Sequence, residues 1–409
     1  MSVITLNFGQ CGNQIGQTLY TTLEEDITLK TTNSQHYCQS LAKWFNVDSK
    51  GRWKARSILV DTESKVIKDI KKSWFENIIV NPVGGSANNW AYGYVENSRL
   101  VVGQVLNLVR KELENCDFVT SFLNFYSLSG GTGSGVGSYV IEKLRNEYPK
   151  NTIVNCAVLP YVKGEISTQA YNCLLNLSTL YSIGDCTVLF ENERLLHLSK
   201  YSLNLNAVNY SNINSIISQQ VASIFQPLGT VTTSSLLQNL ISHPQFKFLQ
   251  IKTEPNISNQ NSAFETPQQC TALMNNLLRQ SRFDHAQTNK YSHFKVISKA
   301  LIHRGLEKVP EYELKSFKET RDLVKWLPQE ESVRVYSVPE RFCYYPNHLS
   351  VLFNDNNILT PLNAIVDDAW TLFTHRAYLH HYSKYGLDEE YLLNSFQIME
   401  NVLNNYRMI

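Results

Sequence analysis

Ser129-Gly130-Gly131-Thr132-Gly133-Ser134-Gly135-Val136-Gly137 follows the apolar run Phe122–Leu128 and opens a helical pattern. Four glycines between 130 and 135 exceed what a strand–helix turn needs. Glycine lets successive backbone N–H groups face one anion without Cβ clashes. Thr132 and Ser134 add hydroxyl donors, and the helix N-terminus adds partial positive charge. Such a cradle suits a di- or triphosphate. No Gly-Lys-Ser/Thr follows it, and its glycines do not fall in the Gly-x-Gly-x-x-Gly spacing, so neither a P-loop nor a dinucleotide fingerprint is present. A flexible Gly/Ser turn is the plainer alternative for these residues alone.

The surrounding chain has the grammar of a parallel α/β sheet. Residues 3–8, 57–60, 122–128, 153–159 and 186–190 read as buried strands. Ile15, Leu19 and Leu23, and likewise Val136, Val140 and Leu144, recur at helical spacing after the two glycine-bearing turns. Gly9-Gln10-Cys11-Gly12-Asn13-Gln14 stands at the first strand–helix junction, which places a second glycine loop at the same carboxyl edge, where open α/β sheets bind ligands. An ordinary N-cap turn with Asn13 as the cap is the competing reading. Asp61 and Glu63 follow the strand ending at Val60, and carboxylates there can bind the water shell of a phosphate-paired Mg²⁺; by themselves they also fit a solvated loop. Gly84–Tyr94 is rich in amide and backbone donors, or else is a glycine-rich connection pinned by a buried Trp90.

Beyond residue 208, Ile213, Ile217, Val221 and Phe225 mark a long helix that ends at Pro227 and Gly229. Gln260–Pro267 is polar and breaks the pattern. Residues 294–302, 333–338 and 349–353 read as strands of a second, mixed α/β unit. Residues 362–386 and 388–407 read as two helices joined at Gly386.

The 409 residues are 43% hydrophobic and carry 37 Lys plus Arg against 36 Asp plus Glu, which gives no reason to expect nucleic acid or an anionic membrane as partner. The eight cysteines include no Cys-x-x-Cys pair, so a reduced, cytosolic protein without a zinc site is expected. Residues 1–8 resemble no signal peptide, and no apolar stretch reaches membrane-spanning length.

Taken in order, Gln10-Cys11-Gly12-Asn13-Gln14, Asp61-Thr62-Glu63, Asn88-Asn89-Trp90 and Gly130-Gly131-Thr132-Gly133-Ser134-Gly135 resemble the phosphate-side loops of the tubulin superfamily. The resemblance covers essentially the whole chain. It implies a Rossmann-like parallel-sheet GTP-binding domain (1–208), a core helix (209–227), an intermediate α/β domain (228–354) and C-terminal helices (355–409). It implies GTP or GDP held by Gly9, Gln10, Cys11, Gln14, Asp61, Glu63, Asn88, Asn89 and Ser129 through Ser134, with Mg²⁺ met mainly through water by Gln10, Asp61 and Glu63. Asn192 and Asn214 would read the guanine edge, for which an amide offers both donor and acceptor, and Tyr210 would stack on the ring. Gln169, Tyr171 and Asn172 match the ribose-side loop, with Ala170 where the family has proline.

The wording of Asn88–Tyr94, Leu159–Glu165 and Tyr382–Glu390 resembles the δ-type. That type implies a cytoplasmic, cytoskeletal protein at centrioles or basal bodies, with other tubulins in longitudinal contact and microtubule or centriolar proteins as partners. A γ-like nucleator and a dynamically polymerising turnover GTPase are the alternatives. An oxidoreductase would need the dinucleotide glycines and an acid about twenty residues on. The glutamate-rich tail of α- and β-tubulins is not expected after Tyr406-Arg407-Met408-Ile409. Aligned on His243-Pro244, Ser235 falls where activating tubulins carry the acid that orients water on a neighbour's GTP, and Ile224–Phe246 holds no Asp or Glu. At most a slow GTPase is expected.

Overall fold

A computed structural model describes residues 2–32, 34–68, 70, 74–81, 84–164, 166–202, 207–256, 269–288, 294–305, 308–319 and 322–409. The chain divides into two compact units, one of residues 1–17, 41–193 and 361–404, the other of residues 18–40, 194–360 and 405–409.

In the first unit, strands β1 (Ser2–Phe8), β4 (Ser57–Asp61), β5 (Asn77–Val80), β6 (Val119–Ser127), β7 (Thr152–Leu159) and β8 (Cys186–Glu191) form a sheet in the order β8-β7-β6-β1-β4-β5; a short hairpin of β2 (Phe45–Val47) and β3 (Trp53–Ala55) stands apart. Every neighbouring pair in the larger sheet is parallel, with Thr5 opposite Ser57 and Ile4 opposite Phe122. β1 and β4 are buried along their whole length. That is what a parallel sheet covered on both faces requires, and it is why their sequences read as continuous apolar runs. The helix Gly137–Glu147 buries Val140, Ile141 and Leu144; the helix Gly9–Thr28 buries Ile15, and also Leu19 and Leu23, which belong to the second unit. The helix Gln169–Ile183 is buried through most of its length, as befits one that is apolar on nearly every side.

The second unit is built on β9 (Phe248–Glu254), β10 (Val296–Gly305), β11 (Val333–Val338) and β12 (Asn347–Asp355). β10 runs parallel to β11 and antiparallel to β12, which is antiparallel to β9. Leu273, Met274, Leu277, Leu301, Phe317 and Val351 meet in its core. The helix Tyr210–Phe225 starts with a capping box in which Asn209 and Asn212 exchange side-chain-to-backbone bonds, and it stops at Gln226-Pro227. At its C-terminal end Arg304, 1% exposed, donates to the carbonyls of Ser223 (2.7 Å), Gln226 (2.8 Å) and Pro227 (3.0 Å).

Two points depart from the sequence reading. β9 was not anticipated from sequence, because Gln250, Lys252 and Glu254 interrupt its apolar pattern, yet all seven of its residues are buried. The expected 362–386 helix is broken: one helix spans Leu359–Thr374, a short one Leu379–Ser383, and Arg376 (φ 53) and Tyr378 (φ 59) turn the chain between them. Gly386 does take the left-handed conformation (φ 81) before the helix Glu389–Arg407. The polar break at 260–267 lies outside the described residues.

Candidate functional site

Four loops of the first unit meet at the carboxyl edge of its parallel sheet. After β6 the chain passes through Ser129 and Gly130 into a π-helical turn, Thr132–Val136, which runs on into the helix Gly137–Glu147. A wide turn of this kind carries extra backbone at a helix N-terminus, and it is often found at functional sites. Thr132 Oγ1 lies 2.5 Å from Thr62 Oγ1 and donates to Ser86 Oγ at 3.1 Å, so one threonine ties the loops after β4 and β5 to the glycine-rich loop. Gly9, at the end of β1, sits against Gly133: a Cβ there would lie 3.0 Å from the Gly133 nitrogen. Asn13 donates to the Val60 carbonyl (3.1 Å) and the Asp61 carboxylate (3.2 Å), so it braces the β4 loop and does not act as an N-cap.

The glycines divide by what a side chain would meet. At Gly131 a Cβ would lie 2.5 Å from Ser86 O and 2.7 Å from Asn89 N, and at Gly135 it would lie 2.3 Å from Trp90 O. Both are backbone atoms of the 84–97 segment, so these glycines allow two loops to pack backbone to backbone. At Gly130 a Cβ meets no protein atom within 4 Å. That is the open face of the cradle, next to N–H groups that a helix start leaves without intrahelical acceptors.

Asp61 is buried, and its carboxylate accepts from Thr62 N (2.8 Å), Glu63 N (3.2 Å) and Asn13. Burial raises its pKa despite these bonds. Glu63 is exposed, with its Oε1 close to Gly85. No group of three or more His, Cys, Asp or Glu able to hold a metal occurs among the described residues. The donor set still fits an ion that keeps most of its water and is bound through one or two carboxylates and a ligand's phosphates. Gln10 is exposed and Gln14 half-buried on the first helix. Burial pushes the Cys11 thiol up to about 12, so it is no nucleophile at neutral pH.

Ala87 and Asn88 both take the left-handed conformation (φ 48 and 49). Strain in a non-glycine residue persists where surroundings over-determine it, and here they do. Asn89 caps the next turn by accepting from Tyr92 N (3.1 Å), and Trp90 is fully buried.

The matching family model is the GTPase domain of the Tubulin/FtsZ family, over residues 2–200. The tubulin delta chain of Canis lupus familiaris is 31% identical, with 99% of each chain covered; that of Homo sapiens is 30% identical over the same shares. The chain belongs to the tubulin family. It is similar above all to delta chains, since a tubulin beta chain, that of Pneumocystis carinii, reaches 27% with 95% of its length covered.

In this tubulin, one expected ligand contact has a different employment. Tyr171 and Asn172 are fully buried. The Asn172 amide accepts from Trp90 N (2.9 Å) and Tyr382 OH (2.7 Å) and donates to Asn88 O (2.8 Å) and Ser129 O (2.6 Å), so nothing is left for a ribose. One turn on, Asn176 donates to Ser134 O at 2.8 Å. The helix Gln169–Ile183 thus grips both ends of the glycine-rich loop from one face, the i, i+4 relation that aligns side chains. Sequence reasoning missed this role, although the spacing Asn172-x-x-x-Asn176 on an otherwise apolar helix was a usable signal. Asn192 opens the helix Asn192–His197 after β8 and is half-buried. Tyr210 and Asn214 belong to the second unit, the first 55% exposed and the second buried.

Proposed function

We propose that this chain holds one guanine nucleotide, GTP or GDP, and works as a δ-type structural tubulin. The observation that carries the reading is the junction of four loops and two helix N-termini around Gly130, whose open side faces no protein atom. Phosphates lie against Ser129–Ser134, Gly9–Cys11 with Gln14, and Asn88–Asn89. Glu63, with Asp61 and Gln10, meets the water shell of Mg²⁺, which supplies charge neutralisation at the terminal phosphates when bound. Asn192 and Asn214 select guanine, and Tyr210 stacks on the base; these three assignments rest on the family resemblance. Acid extraction of purified protein followed by chromatography is expected to yield about one equivalent of guanine nucleotide. Protein free of nucleotide, or loaded with ATP, would sink the proposal.

The likeness to delta chains supports work with other tubulins in the cytoplasm, at centriole or basal-body microtubules, in a longitudinal contact that gives little help to hydrolysis. Ser235 supports that last point. It sits at the third position of the helix Thr233–Leu240 in a capping box with Thr232: Ser235 N donates to Thr232 Oγ1 (3.0 Å) and Thr232 N to Ser235 Oγ (3.1 Å). A serine hydroxyl is a poor base at neutral pH, and this one already serves the helix start. Glutamate is equally at home at that position of a capping box, so Ser235→Glu tests function without removing the cap. Mixed with GTP-loaded tubulin, the wild type is expected to leave phosphate release near its basal rate, and Ser235→Glu to raise it. Strong stimulation by the wild type would refute the proposal.

A further inference from the structure

We propose that Asn172 and Tyr382 are positioning residues which hold the Asn88–Trp90 loop against the Ser129–Gly130 turn and so set how long a nucleotide stays bound. The inference rests on reading this site as the nucleotide site. An amide has two acceptor positions and two donors, and Asn172 uses all four: its oxygen serves Trp90 N–H and the Tyr382 hydroxyl, its nitrogen the carbonyls of Asn88 and Ser129. No rotamer or amide flip keeps this set, so the side chain has one orientation, and with it the two loops have one spacing. The Trp90 N–H, which can only donate, and the two carbonyls, which can only accept, fix which end of the amide is oxygen, and the Tyr382 hydroxyl, also 3.4 Å from Thr168 O, adds a second donor to that oxygen. Tyr382 is fully buried, and its ring stands edge-on to Tyr171 at 5.3 Å.

The same C-terminal segment grips the loop at further points. Asn89 Nδ2 donates to His381 O (2.9 Å), Tyr92 stacks on Tyr385 (5.0 Å) and Trp90 meets Tyr391 (6.1 Å). The break at Arg376–Tyr378 is what lets a separate short helix, Leu379–Ser383, carry Tyr382 inward. His380, His381, Ser383 and Lys384 around it are exposed. A strained left-handed pair, Ala87-Asn88, is therefore held from behind by one amide and from outside by the C-terminal segment.

Tyr382→Phe removes only the hydroxyl. Release of bound nucleotide, chased with excess unlabelled GTP, is expected to quicken about five- to tenfold, the worth of one neutral buried hydrogen bond. Asn172→Asp, which loses both donors, should exceed it. Tyr406→Phe is the control: its buried hydroxyl donates to Asn354 Oδ1 (3.1 Å) and accepts from Phe248 N (3.2 Å), both in the second unit. It should cost comparable thermal stability and leave release unchanged. Unaltered release from Tyr382→Phe, or equal acceleration by Tyr406→Phe, overturns the proposal. If the wild type holds no guanine nucleotide, the reading of the site falls separately, and amide hydrogen exchange over residues 86–94 decides the brace: faster exchange in Tyr382→Phe upholds it, and unchanged exchange overturns it.

Discussion

Gly131→Val is expected to yield protein without nucleotide and with a lowered melting temperature, whereas Gly130→Ala should fold normally and lose nucleotide alone. At Gly131 the added atoms would meet Ser86 O and Asn89 N, backbone that cannot swing aside as a side chain would. Overpacking of this sort costs typically about 1–3 kcal/mol, and the loss of a ligand present at a thousand times its Kd forfeits about 4 kcal/mol more. At Gly130 the methyl enters open space, so nucleotide-free protein should match the wild type within about 0.5 kcal/mol. Bound phosphate would compete for that space. Chromatography of extracted nucleotide and melting of stripped protein separate the two effects. Full occupancy in both variants would reduce the loop to a turn.

Arg304→Ala is the second large effect, and it falls on the second unit. Its guanidinium is fully buried and is spread over three carbonyls at the end of the helix Tyr210–Phe225. Burial lowers its pKa to about 10, with Asp26 opposing, so it stays charged at neutral pH. Asp26 is itself bound by Gln226 Nε2 (2.8 Å), Cys343 N (2.7 Å) and Lys30 (3.1 Å). Truncation strands buried carbonyls and removes a positive charge that Asp26 faces, which should cost about 3–5 kcal/mol. Arg304→Lys should recover only part of this, because a single ammonium cannot span the fork. Urea unfolding of the stripped protein measures it, and a midpoint unchanged by Arg304→Ala would show that the helix end holds without the arginine.

Most of the first unit was legible because its signals are local. Five of its strands stand where apolar runs end in turns, and the phosphate-side loops announce themselves through glycine, hydroxyl and amide content. β5 and the short β2–β3 hairpin escaped because three or four residues carry too little periodicity to stand out. In the second unit, β9 escaped for a different reason. Its buried polar residues are compensated by partners brought by other segments: Lys252 lies over the Phe353 ring at 5.2 Å, and Glu254 bonds Gln280. Those partners are invisible to a pattern read along one strand.

The glycine-rich loop, its strand–helix setting and the ordered loops that match the tubulin family were determined by the sequence alone, because turn chemistry and apolar periodicity are written in neighbouring residues. Only the tertiary structure decided what Gly131 and Gly135 are for, why Asn172 is not a ligand contact, and why the C-terminal helix breaks to send Tyr382 inward. Asn172 and Tyr382 lie 210 positions apart. A buried amide takes whatever partners the fold brings to it, since leaving any of its donors or acceptors unmet is costly, and that choice is made in three dimensions.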